Sequence, residues 1–234
     1  MKCTIAFDIY GTLFDTSGIQ TRLEPICLQA RQKSGAHGGG VSAADVARLW
    51  RDKQLEYSFR RGLMQRFKDF SVCTRDALRY CNAYFDLGMS AQQEAYLLQG
   101  YNELPLFADV APSLARLTQQ HHVFAFTNGC EEAVLSLLRN AGVANHFHDV
   151  ISVSDTKTFK PDPAVYTHFL RQTESDPEAT WLVSANSFDI IGADSVGMRT
   201  AWIRRSSDNI FDPWGVQPEL TISDLSDLSG RIKC

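Results

Sequence analysis

The chain of 234 residues contains no apolar run near the ~18 residues that a membrane-spanning helix needs. Its first residues, MKCTIAFDIYGTLFD, hold one lysine and a short apolar stretch that Asp8 interrupts. That stretch is too short for a secretory leader, and no small-residue cleavage site follows it. Basic excess is also lacking. Lys and Arg number 23 against 27 Asp and Glu, a formal net charge of −4, which argues against a nucleic-acid partner. The one local exception is Arg48 to Arg79, where nine basic residues face four acidic ones. That stretch reads either as the solvated faces of helices or as a surface that steers small anions. The six cysteines form no CxxC pair and no zinc-like spacing, so they read as isolated reduced thiols of a cytoplasmic protein. No G-x-S-x-G elbow is present, which excludes Ser184 as a serine-hydrolase nucleophile. His146-Phe-His148 has no third metal-ligand partner at useful spacing and reads as ordinary side chains. There is no internal repeat and no disordered linker. The glycine-rich stretch Gly35 to Gly40 lies far from any strand end and reads as a flexible loop, not a phosphate cradle.

What is present is the pattern of a globular α/β protein, with 44% hydrophobic and 21% charged residues. Short apolar runs bounded by turn residues occur at 3–7, 122–126, 149–153, 180–183 and 200–203, and read as strands buried on both faces. Helical patterns at 112–119, 131–140, 163–172 and 188–196 lie between or after them. This alternation predicts a doubly wound, Rossmann-like α/β core with a mostly parallel sheet. The first strand is followed by about 90 residues of helical character before the next α/β unit. Ser42 to Asp45 resembles a capping box opening one of these helices, with Val46, Leu49, Trp50, Lys53 and Tyr57 along one face and Arg51 and Leu55 on another. Further helices are expected at 71–85 and 90–99. The domain reading is therefore a core of residues 1–15 and 101–234 with a helical cap of residues 16–100 inserted after the first strand.

Ligands of such sheets bind at the carboxyl ends of the strands, and four polar clusters fall there. Asp8-Ile-Tyr-Gly-Thr-Leu-Phe-Asp15 places a carboxylate at the first strand end, with Gly11 permitting the turn and the Thr12 hydroxyl in reach of the acid. Alone, Asp8 reads equally as a surface acid closing a strand in a type I turn. Thr127-Asn128-Gly129 offers a hydroxyl, an amide and a helix start, a favourable place for an anion. Lys160 precedes Pro161-Asp162-Pro163, which restricts the backbone around it. Ser184-Ala-Asn186-Ser-Phe-Asp189 supplies a hydroxyl, an amide and a carboxylate.

Taken together, D-x-x-G-T-L, the second-strand Thr, the Lys before Pro and the fourth-strand acidic motif resemble the haloacid dehalogenase superfamily. The chain is most similar to its (S)-2-haloacid dehalogenases, over about Thr4 to Ser226. Leu49-Trp-Arg-Asp-Lys-Gln-Leu-Glu-Tyr57 and Lys160-Pro-Asp carry the same likeness. Phosphatases of the superfamily have a second Asp two places after the nucleophile and an acidic residue that helps hold magnesium. Tyr10 and Ala185 stand at those places here.

The resemblance implies hydrolysis of a small (S)-2-haloalkanoic acid to the (R)-2-hydroxy acid, with Asp8 as nucleophile and an ester intermediate. It implies that Thr12, Lys160, Tyr166, Ser184, Asn186 and Asp189 orient Asp8 and the attacking water. Arg51 and Asn128 would receive the halide. Thr127 and the backbone amides of Ile9, Tyr10 and Asn128 would hold the substrate carboxylate. Tyr10, Leu55, Phe70 and Phe188 would wall the substituent. No metal or cofactor is expected, because cationic side chains and amides can handle singly charged anions. The partners implied are the 2-halo-carboxylate, water and a second copy of the chain, dimers being common among such proteins. Thr127, Asp52 and Phe188 depart from the usual Ser, Gln and Trp. Other readings are a hydrolase of another 2-substituted carboxylate such as azetidine-2-carboxylate, a magnesium-dependent phosphatase, or a catalytically silent carboxylate-binding protein.

Overall fold

The computed structural model describes residues 2–34 and 40–233, with Lys33 and Ser34 described by backbone alone. The Gly35 to Gly39 part of the stretch read above as a loop lies outside the described residues. In chain order the elements are β1 (Thr4–Phe7), α1 (Gln20–Ser34), α2 (Ala43–Leu63), α3 (Phe70–Tyr84), α4 (Ala91–Gly100), α5 (Val110–Gln120), β2 (His122–Thr127), α6 (Glu131–Asn140), β3 (Val150–Ser152), α7 (Pro163–Gln172), β4 (Thr180–Ser184), α8 (Ser187–Asp194), β5 (Arg199–Ile203) and β6 (Leu220–Ile222). They divide into two compact units, Met1–Asp15 with Leu106–Cys234, and Thr16–Pro105.

The first unit is a parallel sheet in the order β3-β2-β1-β4-β5-β6, with α5 to α8 along its connections. The α/β fold expected from the alternation of patterns is thus present. Every residue of β1 and of β4 is buried, as strands covered on both faces must be. β1 leads into β2 on one side and pairs with β4 on the other, so the strand order reverses there. This is the switch point at which such sheets open a crevice at their carboxyl ends. Phe7 is in register with Ala125 and with Val183, which sets Asp8 level with Phe126 and Ser184. The helix signals are local ones. Asp162 caps α7 by accepting from Ala164 N–H at 2.9 Å, with Pro163 in the first turn. α6 carries Glu131 and Glu132 at its start and Arg139 at its end, matching the helix dipole.

The second unit holds α1 to α4. Ser42 accepts from Asp45 N–H at 3.0 Å and donates to the Asp45 carboxylate at 2.6 Å, so it caps α2. The buried face of α2 runs through Val46, Ala47, Trp50, Gln54 and Ser58. This corrects the face expected through Lys53 and Tyr57, which are only half-buried. Gln54 and Ser58 put polar groups on this buried face, and they are only partly satisfied: Gln54 Nε2 is buried without a hydrogen-bond partner among the described residues. Ser58 donates to Leu55 O at 2.8 Å and Gln54 accepts from Arg51 at 3.4 Å. Trp50 donates to Thr74 O at 2.8 Å and meets Tyr101 edge-on, ring centroids 5.0 Å apart.

Cys27, Cys73, Cys81 and Cys130 are free thiols, but Cys3 is disulfide-bonded, which corrects the reading of every cysteine as an isolated thiol. Spacing in the sequence reveals only local pairs, so a bridge made by the tertiary fold leaves no such signal. No described helix is long and apolar enough to cross a membrane.

Candidate active site

The turn after β1 holds the reactive geometry. Asp8 N–H donates to Val183 O at 3.0 Å, continuing the ladder one residue past the strand. Leu13 and Phe14 N–H both return to Ile9 O, and Gly11, at φ +84°, donates to Phe14 O at 2.8 Å. A side chain at that φ would be strained, so glycine is what lets the chain fold back and deliver Thr12 beneath Asp8.

The two carboxylate oxygens of Asp8 are treated differently. Oδ2 accepts from Thr12 Oγ1 at 2.8 Å, from Asn186 Nδ2 at 2.7 Å and from Ser184 Oγ at 3.2 Å. Oδ1 receives the Lys160 ammonium at 3.3 Å. Asp8 is 8% exposed, whereas Thr12 and Ser184 are fully buried. One oxygen is therefore saturated with donors and the other has one longer contact. Thr12 Oγ1 is itself fixed by Ala185 N–H at 2.9 Å, and Ser184 Oγ by Asn186 N–H at 3.1 Å.

Lys160 is 1% exposed and bridges two acids. Besides Asp8 its ammonium donates to Asp189 Oδ2 at 2.9 Å and to Phe126 O at 2.9 Å, and it stands 4.1 Å from the centre of the Phe126 ring. Asp189 Oδ1 accepts from Tyr166 OH at 2.8 Å. Burial pushes the Asp189 carboxyl above the usual carboxylate range; the charge of Asp8 adds to this, while Lys160 and Tyr166 oppose it. Burial, then the Asp189 charge, holds the Tyr166 phenol well above its ordinary value, so it remains a donor. Seven of the residues expected at the site, Asp8, Thr12, Lys160, Tyr166, Ser184, Asn186 and Asp189, thus form one hydrogen-bonded cluster.

The neighbouring strand end supports it. Asn128 Oδ1 accepts from Lys160 N–H at 2.9 Å, tying the lysine's backbone to β2. Thr127 is buried and accepts from Gly129 N–H at 2.9 Å. Tyr10 is half-buried, its carbonyl accepting from Asn186 Nδ2 at 3.4 Å, and Ile9 is fully buried beside it. Phe188 is half-buried in the first turn of α8. Arg51 and Leu55 lie half-buried on α2, and Phe70 begins α3 with 7% exposure; all three belong to the second unit. Asp52 is exposed.

Sequence reasoning missed the Phe126 carbonyl and ring around Lys160, which register alone could have suggested. It also missed Gly192. A β-carbon at that position would stand 2.4 Å from Tyr166 Oη, so the glycine is what admits the phenol to Asp189. His148 pairs with His122 at 3.1 Å rather than with His146. An open depression of about 710 Å³ lined by Asp176 to Ala179, Val196 and Gly197 lies at the amino ends of β4 and β5, away from these residues.

Residues 4–197 match the family of haloacid dehalogenase-like hydrolases. The chain belongs to that family. Within it, the chain is 33% identical over 222 residues to an (S)-2-haloacid dehalogenase of Pseudomonas sp. (strain YL), covering 94% of this chain and 90% of that one. It is 32% identical over 219 residues to haloacetate dehalogenase H-2 of Moraxella sp. (strain B), covering 93% and 92%. The solved structure of an L-2-haloacid dehalogenase from Xanthobacter autotrophicus with chloropropionic acid covalently bound superposes with a TM-score of 0.86, at 29% identity and over 97% of each chain. In this chain the acid at the end of β1 and the lysine before Pro161 face one another, Lys160 Nζ standing 3.3 Å from Asp8 Oδ1.

Proposed function

We propose that this hydrolase is an (S)-2-haloacid dehalogenase, converting small (S)-2-haloalkanoic acids to (R)-2-hydroxy acids through an ester on Asp8. The observation that carries the reading is the unequal treatment of the Asp8 oxygens. Three donors hold Oδ2 and fix the plane of the carboxylate, leaving Oδ1 as the oxygen with room to react. In the first step Oδ1 bonds to C2 of the substrate as the carbon–halogen bond breaks, inverting C2, and halide leaves with the electron pair. In the second, water adds to the Asp8 carboxyl carbon and the ester bond to that carbon breaks. The hydroxy acid departs and Asp8 is restored. One proton is released, and Asp189, whose proton affinity burial has raised, is suited to receive it. Dividing the reaction at a covalent intermediate replaces one high barrier by two lower ones.

The remaining roles follow the resemblance. Arg51 and Asn128 stabilise the halide as charge moves onto it, Thr127 with the amides of Ile9, Tyr10 and Asn128 holds the substrate carboxylate, and Tyr10, Leu55, Phe70 and Phe188 enclose the substituent. Tyr10 and Ala185, standing where a phosphatase of the superfamily carries acids, favour this reading over phosphate-ester hydrolysis. Lys160 places an ammonium between Asp8 and Asp189, so the charge that links these two acids comes from the chain itself.

The test is chloride release from each enantiomer of 2-chloropropionate by EDTA-treated protein, beside Asp8→Asn. Chloride from the (S) form alone, D-lactate as product and no turnover by the variant are expected. A folded wild-type protein that releases chloride from neither enantiomer would overturn the proposal.

A further inference from the structure

Beyond the residues that touch Asp8, the loop following β5 contributes a group that no motif points to. Arg205 reaches the turn after β1 from nearly two hundred residues away, and its guanidinium is used on both edges. Nε and one terminal nitrogen donate to the carbonyl of Thr12 at 3.0 and 2.7 Å. The other terminal nitrogen donates to both oxygens of Asp109 at 2.8 and 2.7 Å. The two side chains are only 10% and 9% exposed, and the guanidinium lies 4.1 Å from the centre of the Phe107 ring. Asp109 stands at the N-cap of α5 but does not cap it; its carboxylate accepts instead from Leu225 N–H at 2.7 Å. Phe107 N–H donates to Leu13 O at 3.0 Å, so the same segment grips the turn a second time.

Thr12 is thereby held at both ends. Arg205 fixes its carbonyl, while its hydroxyl is locked between Asp8 Oδ2 and Ala185 N–H. We infer that Arg205, oriented by Asp109, is a positioning residue for the nucleophile: it sets the Thr12 peptide so that the hydroxyl holds Oδ2 and leaves Oδ1 directed at the substrate. Two donors to one carbonyl and two to one carboxylate require a planar fork, which a lysine ammonium does not supply. The inference rests on the dehalogenase reading for its catalytic consequence, though not for the anchoring itself.

Arg205→Lys keeps a cation beside Asp109 but gives up the double grip on Thr12, and Arg205→Met removes both. Misplacing a reacting group by an ångström lowers rate by about a hundredfold. The expected result for Arg205→Lys is therefore a kcat for (S)-2-chloropropionate lowered by roughly 10- to 100-fold with KM within about twofold, and a larger loss for Arg205→Met. The activity-independent readout is amide hydrogen exchange. The Ala185 N–H, whose partner is Thr12 Oγ1, should exchange at least about tenfold faster in Arg205→Lys while the amides of β1 keep their protection. Loss of stability alone would speed β1 and Ala185 together. Unchanged Ala185 protection, a uniform rise in exchange, or unchanged kcat in a wild-type background that releases chloride would each overturn the inference. If the wild type releases no chloride, the exchange result still decides the anchoring, and the failure belongs to the functional reading.

Discussion

Replacing Lys160 by methionine, nearly the same shape without the charge, tests the electrostatic core of the site. The ammonium lies 3.3 Å from Asp8 Oδ1 and 2.9 Å from Asp189 Oδ2. At an effective dielectric near 20, those separations correspond to a gross attraction of ~5 kcal/mol with each acid. Desolvation of the lysine offsets much of this in the wild type, so the net loss is smaller. Removing one partner of a buried pair typically costs about 3–5 kcal/mol, because the uncompensated charge remains. The variant has an escape, since Asp189, already pushed up by burial and by Asp8, can take a proton. The direction of the pH dependence follows. An acid whose folded value is raised binds more protons in the native state than in the unfolded one, so its stabilising contribution is present at low pH and disappears as pH rises through the folded value. Lys160→Met should therefore be least stable relative to wild type on the alkaline side of neutrality and recover as the pH is lowered into the mildly acidic range. Urea denaturation across that range measures it, with chloride release at each pH as a second readout. Turnover should fall by at least about a thousandfold, since a lost charge interaction of ~4 kcal/mol in the transition state has that effect. A variant within about 1 kcal/mol of wild type at the alkaline end, or one that weakens further on acidification, would refute the reasoning.

Single turnover with enzyme in excess, run in heavy-oxygen water, should place the label in Asp8 and not in the hydroxy acid; mass spectrometry of the peptide bearing Asp8 reads this, and label in the product would argue for direct attack by water. Gly192→Ala puts a β-carbon 2.4 Å from Tyr166 Oη and should displace the phenol from Asp189. Thermal unfolding should register a loss of about 1–3 kcal/mol, with kcat down by roughly tenfold or more; wild-type values for both would show that the helix yields freely. The imidazole of His121 is lowered below its ordinary value, mainly by burial and then by the charge of Lys2, and its Nδ1 accepts from Cys3 N–H at 3.4 Å. The unfolded state thus binds the proton more readily, and stability should rise with pH through the ordinary histidine range. His121→Gln should flatten that rise in urea titrations, leaving the share of His122, which is lowered in the same direction; an unaltered slope would show that His121 does not set it.

The residues that were legible in the sequence are those whose signals are local. A carboxylate ending an apolar run, a glycine where the turn needs positive φ and a proline opening α7 each act over a few residues, and the spacing between them is the chemistry. Asp8, Lys160, Ser184, Asn186 and Asp189 were named on that basis and meet in one cluster. β6 was missed because three residues, of which only Ile222 is buried, make too short a run to show a period. α1 was missed because Pro25 sits inside it.

What the sequence by itself determined is therefore the α/β alternation, the polar residues at the strand ends and, through their motifs, the family, since periodicity, capping and motif spacing are properties of neighbouring residues. What only the tertiary structure decided is which groups share an atom. It assigns three donors to one oxygen of Asp8, lets the buried face of α2 carry Gln54 and Ser58, joins Cys3 in a disulfide, and brings Arg205 to the carbonyl of Thr12. The physical reason is that hydrogen bonds and ion pairs act over about 3 Å in space whatever the separation along the chain, and no pattern of neighbours encodes that distance.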